Sequence, residues 1–325
     1  MSKKILVTGV AGFIASRTAQ MLLDAGHEVI GIDNMNSYYD VKLKEFRLNE
    51  LKKNENFRFY NIDIEHIVDL EKLFAENEFS KVLNLAARAG VRYSMENPDI
   101  YVSTNIQGNL NLLNMCKKHN IKKFVLASTS SLYAGKEMPF LETLDVSEPI
   151  SPYAATKKGA EAMCYSYHHL YGIDCTIVRY FTVYGELSRP DMAQLRFMKW
   201  IDNEQEITLY GDGTQARDFT HVDDIARGTI LASEKDLGFE IINLGGGENP
   251  IEINQMIKML EQRLGKEAIV NNLEFNKSDM HKTWANIDKA NKLLGWKPEI
   301  SFTEGIDRCV AHYKDNYAFY QGIEL

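Results

Sequence analysis

Short apolar runs alternate with stretches of helical spacing through the first 180 positions of this 325-residue chain. Positions 5–8, Ile-Leu-Val-Thr, form an unbroken apolar run that leads into a glycine turn. Such a run predicts a strand covered on both faces. Apolar residues at helical spacing over 18–25 predict a helix closed near Gly26. Further strands are expected at 28–33, 57–62, 81–86, 123–128 and 175–180, with the longer helices at 101–118 and 153–171. Strands that alternate with helices pair in parallel through right-handed crossovers. The expected fold class is therefore α/β, a doubly wound parallel sheet.

After residue 180 the rhythm breaks into loops carrying Gly185, Pro190, Gly211, Gly213 and Gly245-Gly246-Gly247, followed by shorter elements. The expected division is a dinucleotide-binding (Rossmann) domain at 1–180 together with about 218–247, and a smaller C-terminal lobe from 181–217 and 248–325. The segment 221–243 is expected to return to the main sheet. No low-complexity linker or internal repeat separates the lobes, so they should pack as one unit.

Composition narrows the function classes. Apolar residues make up 45% and charged residues 25% of the chain, ordinary for a globular protein. The net charge of -8, with no basic tail or stripe, argues against nucleic acid as the main partner. The four cysteines (Cys116, Cys164, Cys175, Cys309) are scattered without zinc-site spacing and read as reduced thiols. The histidines show no metal-ligand spacing, so no metal is expected, and His168-His169 reads as helix surface. No stretch approaches the ~18 consecutive apolar residues of a membrane span. The N-terminal apolar run is too short for a signal peptide. A cytoplasmic enzyme is expected.

The turn Gly9-Val10-Ala11-Gly12-Phe13-Ile14-Ala15 follows the first strand and opens a helix. Gly9 permits the tight turn, and Gly12 lets backbone N–H groups approach a pyrophosphate at the helix N-terminus. Ala15 stands where a third glycine is usual and is still small. Asp33 ends the second strand, 21 residues past Gly12. A carboxylate there accepts from a ribose diol and repels a 2′-phosphate, which favours NAD over NADP.

Tyr153 and Lys157 stand four apart on one helix face. A nearby ammonium group lowers a phenol's pKa, making it a usable base near neutrality. The fifth strand ends in Ala127-Ser128-Thr129-Ser130-Ser131-Leu132-Tyr133, hydroxyls where open α/β sheets bind ligands.

Together these motifs, with Leu85-Ala86-Ala87, Arg179-Tyr180-Phe181 and Arg217-Asp218-Phe219, resemble the extended short-chain dehydrogenase/reductase family over nearly the whole chain. The resemblance implies Tyr153 as base, Lys157 on the nicotinamide ribose and Thr129 as hydroxyl partner. It also implies cofactor contacts from Gly9, Gly12, Phe13, Ile14, Asp33, Asn34, Asp63, Ile64, Leu85, Ala86, Ala87, Asn105, Ser128 and Tyr180. The expected substrate contacts are Arg88, Ser130, Thr182, Arg189, Met192, Arg217 and Asp279, with Arg217 on nucleotide phosphates and Asp279 near the nucleotide ribose. One departure is Leu132-Tyr133-Ala134, where the family usually has Val-Tyr-Gly. Family members that dehydrate carry Asp-Glu after the Thr, and decarboxylating ones commonly carry Glu at the position of Ser131. Here Ser130-Ser131 leaves oxidation at C4 followed by return of the hydride, which is epimerisation.

The segments Asn34–Asp40, Ala89–Ser94, Tyr180–Gly185 and Arg189–Ala193 look like those of UDP-glucuronate 4-epimerases. Arg189 and Thr182, seven apart in one loop, could grip a sugar carboxylate through a charge-assisted pair. The expected activity is an NAD-dependent isomerase interconverting UDP-glucuronate and UDP-galacturonate through a 4-keto intermediate. Rival readings are a UDP-glucose or UDP-GlcNAc 4-epimerase and a UDP-glucuronate decarboxylase. A dinucleotide-sensing regulator is disfavoured because the Tyr/Lys pair is kept. Helices 101–118 and 153–171 carry apolar residues beyond one buried stripe, and in this family they pair across a two-fold axis, so a homodimer is expected.

Overall fold

A computed structural model of the chain describes residues 3–247, 250–274 and 280–325. It begins with β1 (Lys4–Thr8), α1 (Phe13–Asp24), β2 (Glu28–Asp33), α2 (Val41–Leu51), β3 (Phe57–Asn61), α3 (Ile67–Glu76) and β4 (Lys81–Asn84). Then come α4 (Val91–Glu96), α5 (Pro98–Tyr101), α6 (Asn109–Lys118), β5 (Lys123–Thr129), α7 (Pro152–Tyr171) and β6 (Asp174–Tyr180). Next are β7 (Thr182–Tyr184), α8 (Ala193–Asp202), β8 (Glu206–Tyr210), β9 (Ala216–Arg217), β10 (Phe219–His221), α9 (Val222–Glu234) and β11 (Phe239–Leu244). The chain closes with β12 (Ile251–Glu252), α10 (Ile253–Leu264), β13 (Ile269–Leu273), β14 (Lys282–Thr283), α11 (Asp288–Leu294), α12 (Phe302–Asp315) and α13 (Tyr317–Gln321).

Seven strands form one parallel sheet in the order β3-β2-β1-β4-β5-β6-β11. Both faces are covered, which is why the strands read as unbroken apolar runs. Ile5 and Val7 face α1, α9 and α11, packing with Ala19, Leu22, Ile225 and Leu294. Leu6, between them, faces Leu70, Leu73, Leu112 and Ala160 of α3, α6 and α7. The chain returns to the sheet after α9, as expected, with Asn243 of β11 opposite Arg179 of β6. A separate apolar cluster joins α8, α10 and α12 through Leu195, Met198, Met256, Leu260, Ile306 and Val310. Among the described residues no helix is long and apolar enough to cross a membrane.

One expected helix differs. A continuous α-helix over 101–118 is replaced by α5, a π-helical stretch Val102–Gly108, and α6. The widened turns coincide with side chains that bond outside the helix. Ser103 and Thr104 both donate to the Glu65 carboxylate. The Asn105 amide brackets the Arg88 backbone, accepting from its N–H at 2.8 Å and donating to its carbonyl at 3.0 Å, and also donates to Thr156 Oγ1 at 3.0 Å.

The strand order reverses between β1 and β4, and ligands of open α/β sheets bind outside that switch point. Here it is fixed by a buried polar chain. Thr8 Oγ1 donates to Asn84 Oδ1 at 2.8 Å and accepts from the Ala86 N–H at 3.0 Å. Asn84 Nδ2 donates to Asn109 Oδ1 at 3.0 Å, so β1, β4 and α6 share one network. Replacing Asn84 by Ala leaves the Thr8 hydroxyl proton without its acceptor and Asn109 Oδ1 without its donor. Urea unfolding should show a loss of about 2–4 kcal/mol, the cost of two unsatisfied buried groups.

Candidate active site

A cavity of about 420 Å³ opens beyond the carboxyl ends of β1, β4, β5 and β6. Its first wall is the glycine turn, with Gly9, Gly12, Phe13 and Ile14. Gly9 has φ +67, and a Cβ there would stand 2.8 Å from Ala86 Cα; a Cβ on Gly12 would stand 2.8 Å from the Gly9 carbonyl. Leu85, Ala86 and Ala87 face this turn across the switch point. Gly12 caps α1 with no side-chain bond, which leaves the first N–H groups of the helix for a ligand. These features fit the pyrophosphate of a dinucleotide.

Asp33 lines the cavity but is already engaged. Its carboxylate accepts from Ala11 N–H at 3.2 Å and Met35 N–H at 2.8 Å, and Lys44 Nζ lies 3.6 Å away. Lys44, buried on α2 and also lining the cavity, was not anticipated from sequence, although its position on the buried stripe of a helix after Asp33 was readable. Asn34, Asp63 and Ile64 complete this end, with Asn34 donating to Asp63 at 2.7 Å.

The opposite end holds the hydroxyls. Ser151 caps α7, accepting from Ala154 N–H at 3.2 Å, and Pro152 occupies the first turn, so the helix starts just before Tyr153. Tyr153, Lys157, Ser128, Thr129, Ser130 and Tyr180 all line the cavity. Thr129 ends β5 and caps the short turn after it. Its Oγ1 accepts from Ser131 N–H and donates to Ser131 Oγ, both at 3.1 Å. Burial pushes the Tyr153 phenol above its usual value, while hydrogen bonding to Thr129 and the charge of Arg189 pull it back.

Here the structure departs from expectation. The groups that lower the Tyr153 phenol are Thr129 and Arg189, not Lys157. Lys157 is 3% exposed, and burial brings its ammonium down to about 8, with Glu161 opposing the shift. Its charge is matched one turn further along α7 rather than one turn back. Glu161, like Lys44, was not anticipated from sequence. It is 2% exposed, accepts from Ser128 Oγ at 2.6 Å, and forms a two-point pair with Arg179 at 2.9 and 2.7 Å. Arg179 Nη1 donates to the Tyr133 hydroxyl at 2.8 Å, which donates to Asn243 Oδ1 at 2.8 Å. The spacing Tyr153, Lys157, Glu161 on one helix face was the available signal.

Arg88, Thr182, Arg189 and Met192 also reach the cavity. Arg88 Nε is buried without a hydrogen-bond partner among the described residues, an unsatisfied donor in the wall. Arg189 pairs with Asp191 through Nε at 2.9 Å and Nη2 at 2.6 Å, and its guanidinium carbon lies 5.9 Å from the Tyr38 ring centroid.

Two expected contacts are not on the wall. Asn105 is turned to the Arg88 backbone and Thr156, so it shapes the wall from behind. Arg217 sits in β9, between β12 and β14, and its Nη1 donates to the Ala216 carbonyl. That two-strand setting holds it outside the cavity lining. Asp279 lies outside the described residues. Among those residues, no group of three or more His, Cys, Asp or Glu could hold a metal ion.

A family model described as GDP-mannose 4,6 dehydratase matches residues 6–309. The chain belongs to the extended short-chain dehydrogenase/reductases. Within that family it is 59% identical over 320 residues to the UDP-glucuronate 4-epimerase of Thermodesulfobacterium geofontis, covering 98% of this chain and 99% of that protein. It is 40% identical to UDP-glucuronic acid 4-epimerase from Bacillus cereus, solved in complex with UDP-glucuronic acid and NAD, with a TM-score of 0.90 over 97% of this chain and 100% of that one. UDP-glucose 4-epimerase from Thermotoga maritima, solved with UDP-glucose, matches with a TM-score of 0.87 at 32% identity over 97% and 99% of the two chains.

In this short-chain dehydrogenase/reductase site the Glu161–Arg179 pair sits under Ser128 and beside Lys157. Replacing Glu161 by Gln leaves the Arg179 charge buried with a neutral partner. Urea unfolding should show a loss of about 3–5 kcal/mol, the usual cost of breaking a buried pair from one side.

Proposed function

We propose that the protein is an NAD-dependent isomerase that interconverts UDP-glucuronate and UDP-galacturonate by inverting C4. The observation that carries this is one cavity joining the glycine turn, the Thr129–Tyr153–Lys157 group and Arg189. The 59% identity to a UDP-glucuronate 4-epimerase supports the uronate over the neutral sugar, against 32% to a UDP-glucose 4-epimerase. The wall also argues against dehydration despite the family model's description, since Ser130 and Ser131 follow Thr129 where an acid would have to protonate a leaving hydroxyl.

The residues divide the work as follows. Gly9, Gly12 and the α1 N-terminus hold the pyrophosphate, and Asp33 takes the adenosine ribose. NAD held there would supply the acceptor, and then the donor, of the C4 hydride. Tyr153 takes the 4-hydroxyl proton by way of Thr129 and gives it back to the inverted alcohol. Lys157 orients the nicotinamide ribose, and Glu161 favours its charged form. The 4-keto sugar turns over between the two halves of the reaction, so Thr129 and Tyr153 must serve either face. Arg88, Ser130, Thr182 and Met192 bound the space in which it turns. Arg217 and Asp279 are assigned to the UDP end.

Holding the uronate carboxylate has a chemical purpose. A 4-keto uronate is a β-keto acid and loses CO2 when the C5–C6 bond aligns with the ketone. An Arg189 ion pair with the carboxylate, helped by Thr182, holds that bond out of alignment.

We further propose that residues 1–180 with about 218–247 form the NAD-binding domain, and 181–217 with 248–325 the UDP-sugar lobe. The protein acts as a homodimer, supported by exposed Met95, Val102, Tyr165 and Leu170 on adjoining helical segments. It works in the cytoplasm, consistent with four free, buried cysteines.

Incubating the protein with UDP-glucuronate and following the nucleotides by NMR should show UDP-galacturonate without CO2 release. A neutral UDP-sugar as the only substrate would overturn the uronate assignment. Tyr153→Phe should lower kcat by about 10²–10⁴ with NAD still bound. The Lys157 ammonium is present below about pH 8 and lost above it. The pH profile of kcat/KM should therefore fall on its alkaline side near pH 8, and Lys157→Arg should move that limb upward. Arg189→Ala should release a decarboxylated nucleotide or abolish uronate binding; a fully active variant without by-product would refute the clamp.

A further inference from the structure

The loop that carries Arg189 is held rigidly by its backbone. The Leu187 carbonyl accepts from Arg47 Nε at 3.0 Å and Nη2 at 2.5 Å, and the Leu187 N–H donates to the Tyr320 hydroxyl at 3.2 Å. Next, the Arg189 carbonyl accepts from Met192 N–H at 3.1 Å, closing a tight turn over Pro190 and Asp191. Proline at the second position suits such a turn. The turn sets the side chains of residues 189 and 191 next to each other. With the backbone fixed, the remaining freedom of Arg189 is in its side chain, and Asp191 removes it.

A guanidinium has five N–H donors in a planar fork. Asp191 occupies the side edge, one donor on Nε and one on Nη2, at 2.9 and 2.6 Å. The end edge, formed by Nη1 and the second N–H of Nη2, is left over. Among the described residues Nη1 has no hydrogen-bond partner. The Arg189 side chain is 22% exposed and lines the cavity, whereas that of Asp191 is 44% exposed. The outer edge is thus fastened by an exposed carboxylate while the end edge is available to a second one.

We propose that Asp191 is a positioning residue that locks the Arg189 guanidinium so that its end edge grips the substrate carboxylate in one orientation. This rests on the reading of the site as a UDP-uronate 4-epimerase. Two anchors on one planar cation leave the bound carboxylate little rotation. With Asp191 removed, the guanidinium can swing with its ligand. At the 4-keto stage the C5–C6 bond then reaches alignment with the carbonyl. That bond breaks, its electron pair passes to the C4 oxygen as an enolate, C5 takes a proton and CO2 leaves.

The test compares wild-type holoenzyme with Asp191→Asn and Asp191→Ala. Binding of UDP-glucuronate and of UDP is measured by calorimetry, and products from UDP-glucuronate by NMR. UDP has no carboxylate and serves as the control. The expected result is a UDP-glucuronate Kd raised about tenfold, the equivalent of one charge-assisted hydrogen bond, with the UDP Kd unchanged and a several-fold larger share of decarboxylated nucleotide. Equal weakening of both ligands would mean a merely structural role and overturn the proposal. So would variants that match wild type in both Kd and product share. Wild-type enzyme that fails to convert UDP-glucuronate would remove the epimerase reading itself, and this proposal with it.

Discussion

A single buried carboxylate, that of Glu161, ties the active site to the sheet. It receives Ser128 from the end of β5 and Arg179 from β6, while standing on α7 one turn beyond Lys157. Both charged partners are almost fully buried. Burying two charges is expensive, and a pair of this kind contributes little net stability compared with an apolar pair of the same volume. What it supplies is uniqueness. A carboxylate with both oxygens engaged admits one register of α7 against β5 and β6. That register puts Tyr153, two turns before Glu161, against Thr129. Through Tyr133 and Asn243 the same network reaches β11, so β5, α7, β6 and β11 share it.

The pair also settles an electrostatic conflict. Burial favours the neutral forms of both Tyr153 and Lys157, raising the first and lowering the second. The proposed catalytic pair needs the opposite arrangement, phenolate and ammonium. The protein's own contributions run the right way but on separate circuits. Thr129 and Arg189 act on the phenol; Glu161 acts on the amine. Arg189 therefore has two duties, since the cation assigned to the uronate carboxylate also lowers the base. A substrate carboxylate that neutralises Arg189 would weaken its pull on Tyr153.

The sheet was legible because strands buried on both faces must be continuous apolar runs, and β2 begins and ends where the pattern places it. The glycine turn was legible because Gly9 adopts a backbone conformation that side chains disfavour and approaches Ala86 too closely for a Cβ. The π-helical stretch was not legible, because it depends on Glu65, almost 40 residues away, drawing Ser103 and Thr104 outward. Asn105 illustrates the same limit. Its residue type suits a ligand contact as well as it suits the backbone of Arg88, and only tertiary packing chooses between them. Arg217 shows the converse: a motif residue whose short strand, paired on both sides, keeps it off the cavity wall. Lys44 and Glu161 are buried charges, which a hydrophobicity count reads as solvent-facing although their helical spacing sets them on a buried face.

What the wall omits governs the outcome as much as what it supplies. The carboxylates on the described cavity lining are Asp33, the last residue of β2, and Asp63, just past β3. Around Thr129 the neighbours are hydroxyls: Ser128, Ser130, Ser131 and Tyr153. A 4-keto sugar formed there meets one residue able to move a proton at C4 and no acid placed to expel a hydroxyl. Two routes are left to it, return to an alcohol or loss of CO2. On the proposed mechanism the first is served by Tyr153 whichever face of the sugar is presented. The second is limited by whatever fixes the carboxylate, the role proposed for Arg189. Epimerisation without net change therefore follows from a site that can only undo what it has done, provided the carboxylate is kept still while the ring turns.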